Sequence, residues 1–326
     1  MEHRRLGETG IEVSRLALGC GNFGGVGSAP AFFGQGESEE EAFALMDAAA
    51  ALGITLFDTA DAYGGGRSER WIGRWLARQP AETRGRIVLS TKVFHSVEGD
   101  PADRGLAPDR IRRQIEGSLE RLGVERVDLY VIHAPDPETP IADTLEALDG
   151  LVRAGKVCAV GASNVTAPEL EQALAASEER GLVRFEWVQN SYSLLERGDE
   201  EDVLPLCAEH GLGYTPFGPL AGGWLTGKYR RGASYPEGSR MTLRPEPYER
   251  IENQRTFAGL EALEAAARER GTDMATLALA WVVHHPLVTS TILGPRRPAH
   301  LDPARGALDL ALGEDERAEL AAYFQG

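Results

Sequence analysis

Short aliphatic and β-branched runs alternate with amphipathic stretches along almost the whole chain. The apolar runs lie at Leu16–Leu18, Thr55–Phe57, Ile87–Thr91, Val127–Ile132, Val157–Gly161, Phe185–Gln189, Gly213–Phe217 and Ser290–Leu293. Each has the length of a strand in a buried sheet. Between them, apolar positions recur at helical spacing over Ser38–Leu52, Ser68–Arg78, Pro108–Leu122, Ile141–Arg153, Ala167–Arg180, Glu200–His210 and Thr256–Arg270. Pro108 and Pro168 suit a first helical turn, where the missing N–H costs nothing. Gly53, Gly123, Gly155, Gly181, Gly211 and Gly271 follow helical segments, where a left-handed cap is favoured. Ahead of the first run, "RRLGETGIEVS" reads as a hairpin turning at Glu8-Thr9-Gly10.

Strict alternation of strand and helix leaves two parallel architectures, a doubly wound sheet and a closed barrel. Eight evenly spread units favour the (β/α)8 TIM barrel, an α/β fold, here with an N-terminal β-hairpin. The exception to even spacing is a long loop between strands seven and eight, "AGGWLTGKYRRGASYPEGSRMTLRPEPYERIENQ". Long loops in compact domains are usually functional. No break in composition marks a second domain, so one barrel domain over residues 1–326 is expected.

After the first strand, "LALGCGNFGG" contains Gly19-x-Gly21-x-x-Gly24, the spacing of a dinucleotide-binding turn. That turn must open a helix. Here Gly24 runs into "GVGSAPAFFGQGES", which has no apolar periodicity. The Rossmann reading therefore fails. On a barrel, Gly19 and Gly21 instead fall at the rim, where they would let backbone approach a ligand closely.

Composition narrows the partners. A formal net charge of −16 argues against nucleic acid or an anionic membrane, both of which reward clustered Lys and Arg. It leaves room for one local basic pocket. No apolar run approaches the roughly 20 residues of a membrane span, and "MEHRRLGETG" lacks the apolar core of a secretory signal. Cys20, Cys158 and Cys207 are too scattered for a disulfide framework or a metal motif; a reducing, cytoplasmic setting is expected. The sequence carries no sign of oligomeric state.

In a barrel the chemistry sits at the C-terminal ends of the strands. Strand two ends in "FDTADAYGGGRSE" (Asp58, Tyr63), strand three in "LSTKVFHS" (Lys92), strand four in "YVIHAPD" (His133), strand five in "VGASN" (Ser163, Asn164) and strand six in "WVQNSYS" (Gln189, Asn190). Asp58, Tyr63, Lys92 and His133 form a coherent acid set. A free phenol, with a pKa near 10, is too weak an acid to work at neutral pH. An ammonium beside it lowers that value, Asp58 would orient the ammonium, and His133 would donate a hydrogen bond to a carbonyl oxygen. A metal-dependent hydrolase would need several ligands at strand ends. Only His133 is at one, since His284 and His285 precede strand eight on a helix; no metal site is expected.

These stretches, with "RLGVERVDLYVIHAPD", "GKVCAVGASN", "GPLAGGWLTGKY" and "ILGPRR" in the same order, resemble the aldo-keto reductase family over essentially the full chain. The resemblance implies a barrel that binds NADP(H) without a Rossmann fold. It also implies an Asp-Tyr-Lys-His tetrad that maps onto Asp58, Tyr63, Lys92 and His133. The activity it implies is NADPH-dependent, reversible reduction of a small-molecule aldehyde or ketone, with Tyr63 supplying the proton. It assigns Ser163, Asn164 and Gln189 to the nicotinamide carboxamide, and Phe217 to the ring face, where many relatives carry tyrosine. Pro219, Leu220, Gly222 and Lys228 would meet the pyrophosphate. Gly294 and Arg296, helped by Arg297, would meet the adenosine 2′-phosphate, with His300 beyond them and Gly21 and Asn22 near the nicotinamide end. His300 and Ala304 depart from the glutamine and asparagine common in relatives, which weakens the adenine end. Phe23, Phe32, Phe94 and Trp224 are the expected substrate-pocket residues, from loops that also bring Phe33 and Tyr229. Some family members instead serve as channel-associated subunits that hold NADP and turn over slowly; that is the alternative.

Overall fold

A computed structural model describes residues 1–325. Its ten strands are β1 His3–Arg5, β2 Glu12–Ser14, β3 Leu16–Gly19, β4 Leu56–Asp58, β5 Val88–Val93, β6 Val127–Ile132, β7 Val157–Ser163, β8 Trp187–Gln189, β9 Gly213–Tyr214 and β10 Thr291–Leu293. Its helices are α1 Glu39–Leu52, α2 Arg67–Arg78, α3 Ala81–Arg86, α4 Pro108–Leu122, α5 Ile141–Arg153, α6 Ala167–Arg180, α7 Val203–Glu209, α8 Arg240–Leu243, α9 Gln254–Glu269, α10 Met274–Val283, α11 Asp302–Asp309 and α12 Glu314–Ala322. Strands β3 to β10 form one eight-stranded parallel sheet in the order β10-β3-β4-β5-β6-β7-β8-β9. It curls shut where Thr289 N donates to Tyr214 O and Ile292 N to Pro216 O, both at 2.8 Å. This is the expected (β/α)8 barrel.

The period-2 pattern sorts side chains between two cores. Ala17, Leu56, Leu129, Val131, Ala159, Trp187 and Ile292 fill the barrel interior, where Leu6 and Val13 of the hairpin pack with them. Leu16, Leu18, Phe57, Tyr130, Ile132, Val160 and Val188 face the other way, into the layer shared with the helices. Gly161 makes room for the Trp187 indole; any side chain there would overlap its ring.

Boundaries follow local chemistry. Ser38 caps α1 reciprocally with Glu41, as Glu41 N reaches Ser38 Oγ at 3.3 Å and Ser38 N reaches Glu41 Oε2 at 2.8 Å. The expected helix over Glu200–His210 breaks into a 3-10 turn, Gly198–Glu200, followed by α7. Strand β9 is shorter than expected because Pro216 has no N–H for the ladder. The helical segments read from the sequence leave out α3, α8, α11 and α12 and give no bounds for α10, the helix expected ahead of strand eight. All ten residues of α10 are buried, so it has no polar face to betray a period.

Candidate active site

The expected residues meet at the C-terminal rim. Asp58 ends β4, Lys92 lies in β5, His133 follows β6, Ser163 ends β7 and Gln189 ends β8. Lys92 Nζ donates to Asp58 Oδ2 at 2.6 Å and to Thr59 O at 2.8 Å. Both side chains are removed from solvent, at 1% and 5% exposure. Ser90 Oγ and Gln189 Nε2 each donate to Asp58 Oδ1 at 3.1 Å, so the carboxylate is held from three sides. Tyr63 Oη lies 3.4 Å from His133 Nε2, and the two rings meet edge to face at 5.4 Å. The Lys92 ammonium sits 5.1 Å from the Tyr63 ring centroid.

Tyr63 reaches this point through local structure. Gly64, Gly65 and Gly66 follow it with φ of 59°, 66° and 77°, a left-handed run that side chains resist and that turns the chain into α2. Ser68 Oγ on that helix bonds Cys20 O at 3.0 Å and pairs with Thr59 Oγ1 at 2.7 Å, pinning the turn to its neighbours.

The protonation states are set by burial and by this pair. Burial lowers the Lys92 pKa, but Asp58 and Tyr63 outweigh it and raise the pKa above the usual lysine value. Burial pushes the Tyr63 phenol up; Lys92 pulls it down and Asp58 pushes it up again. The expectation that Lys92 lowers the phenol is therefore met as a contribution and reversed in the net, because desolvation is larger. Tyr63 is a protonated donor at neutral pH. Burial, then Lys92 and His95, hold His133 well below the ordinary histidine range, so its imidazole is neutral. Its Nδ1 is buried without a partner among the described residues.

Several expected cofactor residues have structural partners. Asn164, left-handed at φ 57°, donates through Nδ2 to His133 O at 2.8 Å and Ser163 Oγ at 3.1 Å. Ser163 Oγ donates to Gln189 O at 2.7 Å. Among the described residues no donor bonds Asn164 Oδ1 or Gln189 Oε1, which suits the NH2 of a carboxamide. Asn190 is spent on Val165, bonding its backbone N–H and carbonyl at 3.1 and 2.8 Å. Phe217 is half-buried beside Pro219 and Leu220, and Gly294 is exposed with open space around it. Gly218, Gly222 and Gly223 have φ of 68°, 64° and 97°, backbone that turns N–H groups into an anion-binding concavity. Gly222 lies against the Tyr248 ring and Gly223 against Lys228.

Arg296 Nε holds Glu37 at 2.7 Å and its Nη1 bonds Gly238 O at 2.9 Å, yet the side chain is 44% exposed. Arg297 Nε lies 2.9 Å from His300 Nε2, and Ala304 is fully buried. Open glycine backbone, two unpaired amide acceptors and a half-exposed guanidinium fit a nicotinamide dinucleotide.

The expectations for Gly19, Phe23 and Trp224 need correction. At Gly19 the space for a Cβ is taken by Leu293 O at 2.8 Å, so this glycine serves strand packing and not ligand approach. A Cβ on Gly21 would stand 3.5 Å from the Tyr63 ring. Asn22 is buried, and its Oδ1 accepts from Arg240 Nη2 at 2.6 Å. Phe23 and Trp224 line no open surface, at 1% and 0% exposure. Trp224 packs on Tyr229, Tyr235 and Phe257 with centroids 5.1–6.3 Å away, because the long loop needs an apolar anchor. Phe32 and Phe94 are half-buried. The sequence reading missed His95, whose ring lies 4.8 Å from His133. It stands three residues past Lys92, on the same strand end.

The family model of the aldo/keto reductase family matches residues 15–323. This chain belongs to the aldo/keto reductase family. It is 38% identical to an uncharacterized oxidoreductase, YrpG, of Bacillus subtilis, over 100% of this chain and 97% of that protein. It is 34% identical to a probable voltage-gated potassium channel subunit beta of Oryza sativa subsp. japonica, covering 95% and 92%. It is 31% identical to versiconal hemiacetal acetate reductase of Aspergillus parasiticus, covering 97% and 95%. Family membership makes the chain an oxidoreductase of a class that uses a nicotinamide cofactor and acts on small carbonyl compounds. Among the described residues, no helix is long and apolar enough to cross a membrane.

Proposed function

We propose that this aldo/keto reductase transfers a hydride from NADPH to an aldehyde or ketone, with Tyr63 as the proton donor. The observation that carries this reading is Tyr63 Oη at 3.4 Å from His133 Nε2, above a buried Lys92–Asp58 pair at 2.6 Å. When bound, the reduced nicotinamide supplies the hydride. Neutral His133 orients the substrate by donating from Nε2 to the carbonyl oxygen. Tyr63 Oη gives its proton to that oxygen as charge develops on it, and the phenolate left behind is stabilised by the Lys92 ammonium. Asp58 keeps Lys92 charged and fixed. Running the same transfers backwards oxidises an alcohol.

Asn164 and Gln189 would hold the carboxamide, Phe217 the ring face, and the loop at Gly222 and Lys228 the pyrophosphate. Arg296 and Arg297 favour NADP over NAD, because a planar guanidinium matches a 2′-phosphate. The test is NADPH oxidation by the purified protein over a panel of aldehydes and ketones, 4-nitrobenzaldehyde among them. Turnover supports the reading. The resemblance to proteins named as potassium channel subunits favours a second reading, a cofactor-holding regulatory subunit. Tight NADPH binding with no oxidation across the panel would select it.

A further inference from the structure

Beyond the tetrad, three basic side chains gather at the same end of the barrel from two loops. His95 stands edge-on to His133 at 4.8 Å. Its carbonyl is fixed by Arg110 Nη2 at 2.8 Å. Arg104 lies on the returning arm of the same loop, closed by Gly105 N to Phe94 O at 2.8 Å. Arg244 arrives from the long loop after β9. Its Nη1 is 3.6 Å from the place of a Cβ on Gly27, and Gly27 O accepts from Gly64 N, the residue after Tyr63.

Other arginines around the rim are occupied. Arg110 takes Asp103 and three carbonyls, Arg240 takes Asn22, and Arg296 takes Glu37. Among the described residues, no hydrogen bond or ion pair engages the guanidinium of Arg104 or Arg244. Of the nearby acids, Asp103 is taken by Arg110 and Arg113; Asp136 accepts from Leu106 N, Glu138 N and Thr139 and is an ionised neighbour of Arg104 without an ion pair to it. Burial first, then the charges of Arg110, Arg104 and Arg244, hold His95 below its ordinary pKa. It is a neutral N–H donor flanked by cations.

We propose that His95, Arg104 and Arg244 bind the anionic end of the substrate, so that the enzyme prefers carbonyl compounds carrying a carboxylate or phosphate a short chain from the carbonyl. This rests on the reductase reading above. Guanidinium pairs match both anions. In a chain of net charge −16 long-range attraction works against an anionic substrate, so recognition falls on these local donors.

The experiment compares kcat/KM for 4-carboxybenzaldehyde with its neutral methyl ester, and for glyceraldehyde 3-phosphate with glyceraldehyde. The wild-type protein, Arg104→Gln, Arg244→Gln and the double variant are assayed. The expected ratio favours the anion in one pair or both, which identifies carboxylate or phosphate. It falls about tenfold in the double variant, the scale of a lost charge-assisted hydrogen bond. A wild-type ratio at or below one in both pairs, or an unchanged ratio in the double variant, overturns the proposal. So does a rise in the NADPH Kd of Arg244→Gln without a change in ratio, which would make it a cofactor ligand. If no substrate is turned over, the reductase reading fails by itself, and calorimetric binding of 4-(hydroxymethyl)benzoate decides this one. Binding lost in the double variant sustains it; no binding to the wild type ends it.

Discussion

Replacing Lys92 by methionine removes one half of a buried ion pair and leaves the other. Lys92 and Asp58 are 1% and 5% exposed, so the abandoned carboxylate cannot recover its hydration. Breaking such a pair costs about 3–5 kcal/mol. Asp58 keeps Ser90 and Gln189 as donors, which places Lys92→Met at the lower end of that range. Asp58→Asn added to Lys92→Met removes the stranded charge. The double variant should then regain about 2 kcal/mol, since a neutral replacement of a buried pair is often tolerated. Activity should not return with stability, because the Tyr63 phenolate still lacks its cation. Loss of general acid catalysis predicts a fall in kcat of about 100-fold or more in both. Urea unfolding at pH 7 and steady-state NADPH oxidation read the two quantities on the same samples. The reasoning is refuted if the double variant is no more stable than Lys92→Met, or if Lys92→Met keeps the wild-type kcat.

Three further outcomes follow from other parts of the molecule. Burial, reinforced by Arg317 and opposed by Glu200, lowers His285 to about 4, while the unfolded residue titrates near 6.5. Between those values the unfolded chain binds the extra proton, so stability is full above pH 6.5 and is lost as pH falls toward 4. Urea midpoints from pH 7.5 to 4.5 should fall less steeply in His285→Gln, and equal slopes would count against the assignment. Arg296→Ala should weaken NADPH by about tenfold, a lost charge-assisted bond, and NADH far less; fluorescence titration with equal losses would remove the 2′-phosphate role. Trp224→Ala empties a fully buried site and should cost about 3–5 kcal/mol, which an unchanged melting temperature would contradict.

The barrel was legible because its pattern is local and repeated. Helices α4, α5 and α6 begin and end where apolar spacing, proline and glycine place them. The tetrad was legible because strand ends converge by the rule of the fold, so residues from three neighbouring strands share one rim. The bounds of helix α10 escaped, since a helix buried all round loses its period. Contacts such as Arg240–Asn22 and Arg296–Glu37, 218 and 259 residues apart, have no local signal at all. Trp224 illustrates the same limit: an aromatic in a long loop reads equally as pocket or anchor, and only packing decides. The net charge state of Tyr63 was hidden too, because desolvation is a property of everything around it.

The central claim is that Tyr63 donates the proton to a carbonyl accepting a hydride. It is tested most directly by single-turnover oxidation of bound NADPH with 4-nitrobenzaldehyde, comparing wild-type protein with Tyr63→Phe while NADPH affinity is measured by fluorescence. Tyr63→Phe keeps the ring and deletes the one O–H that lies 3.4 Å from His133. The account predicts nearly unchanged NADPH binding and abolished hydride transfer. Turnover at the wild-type rate would contradict it.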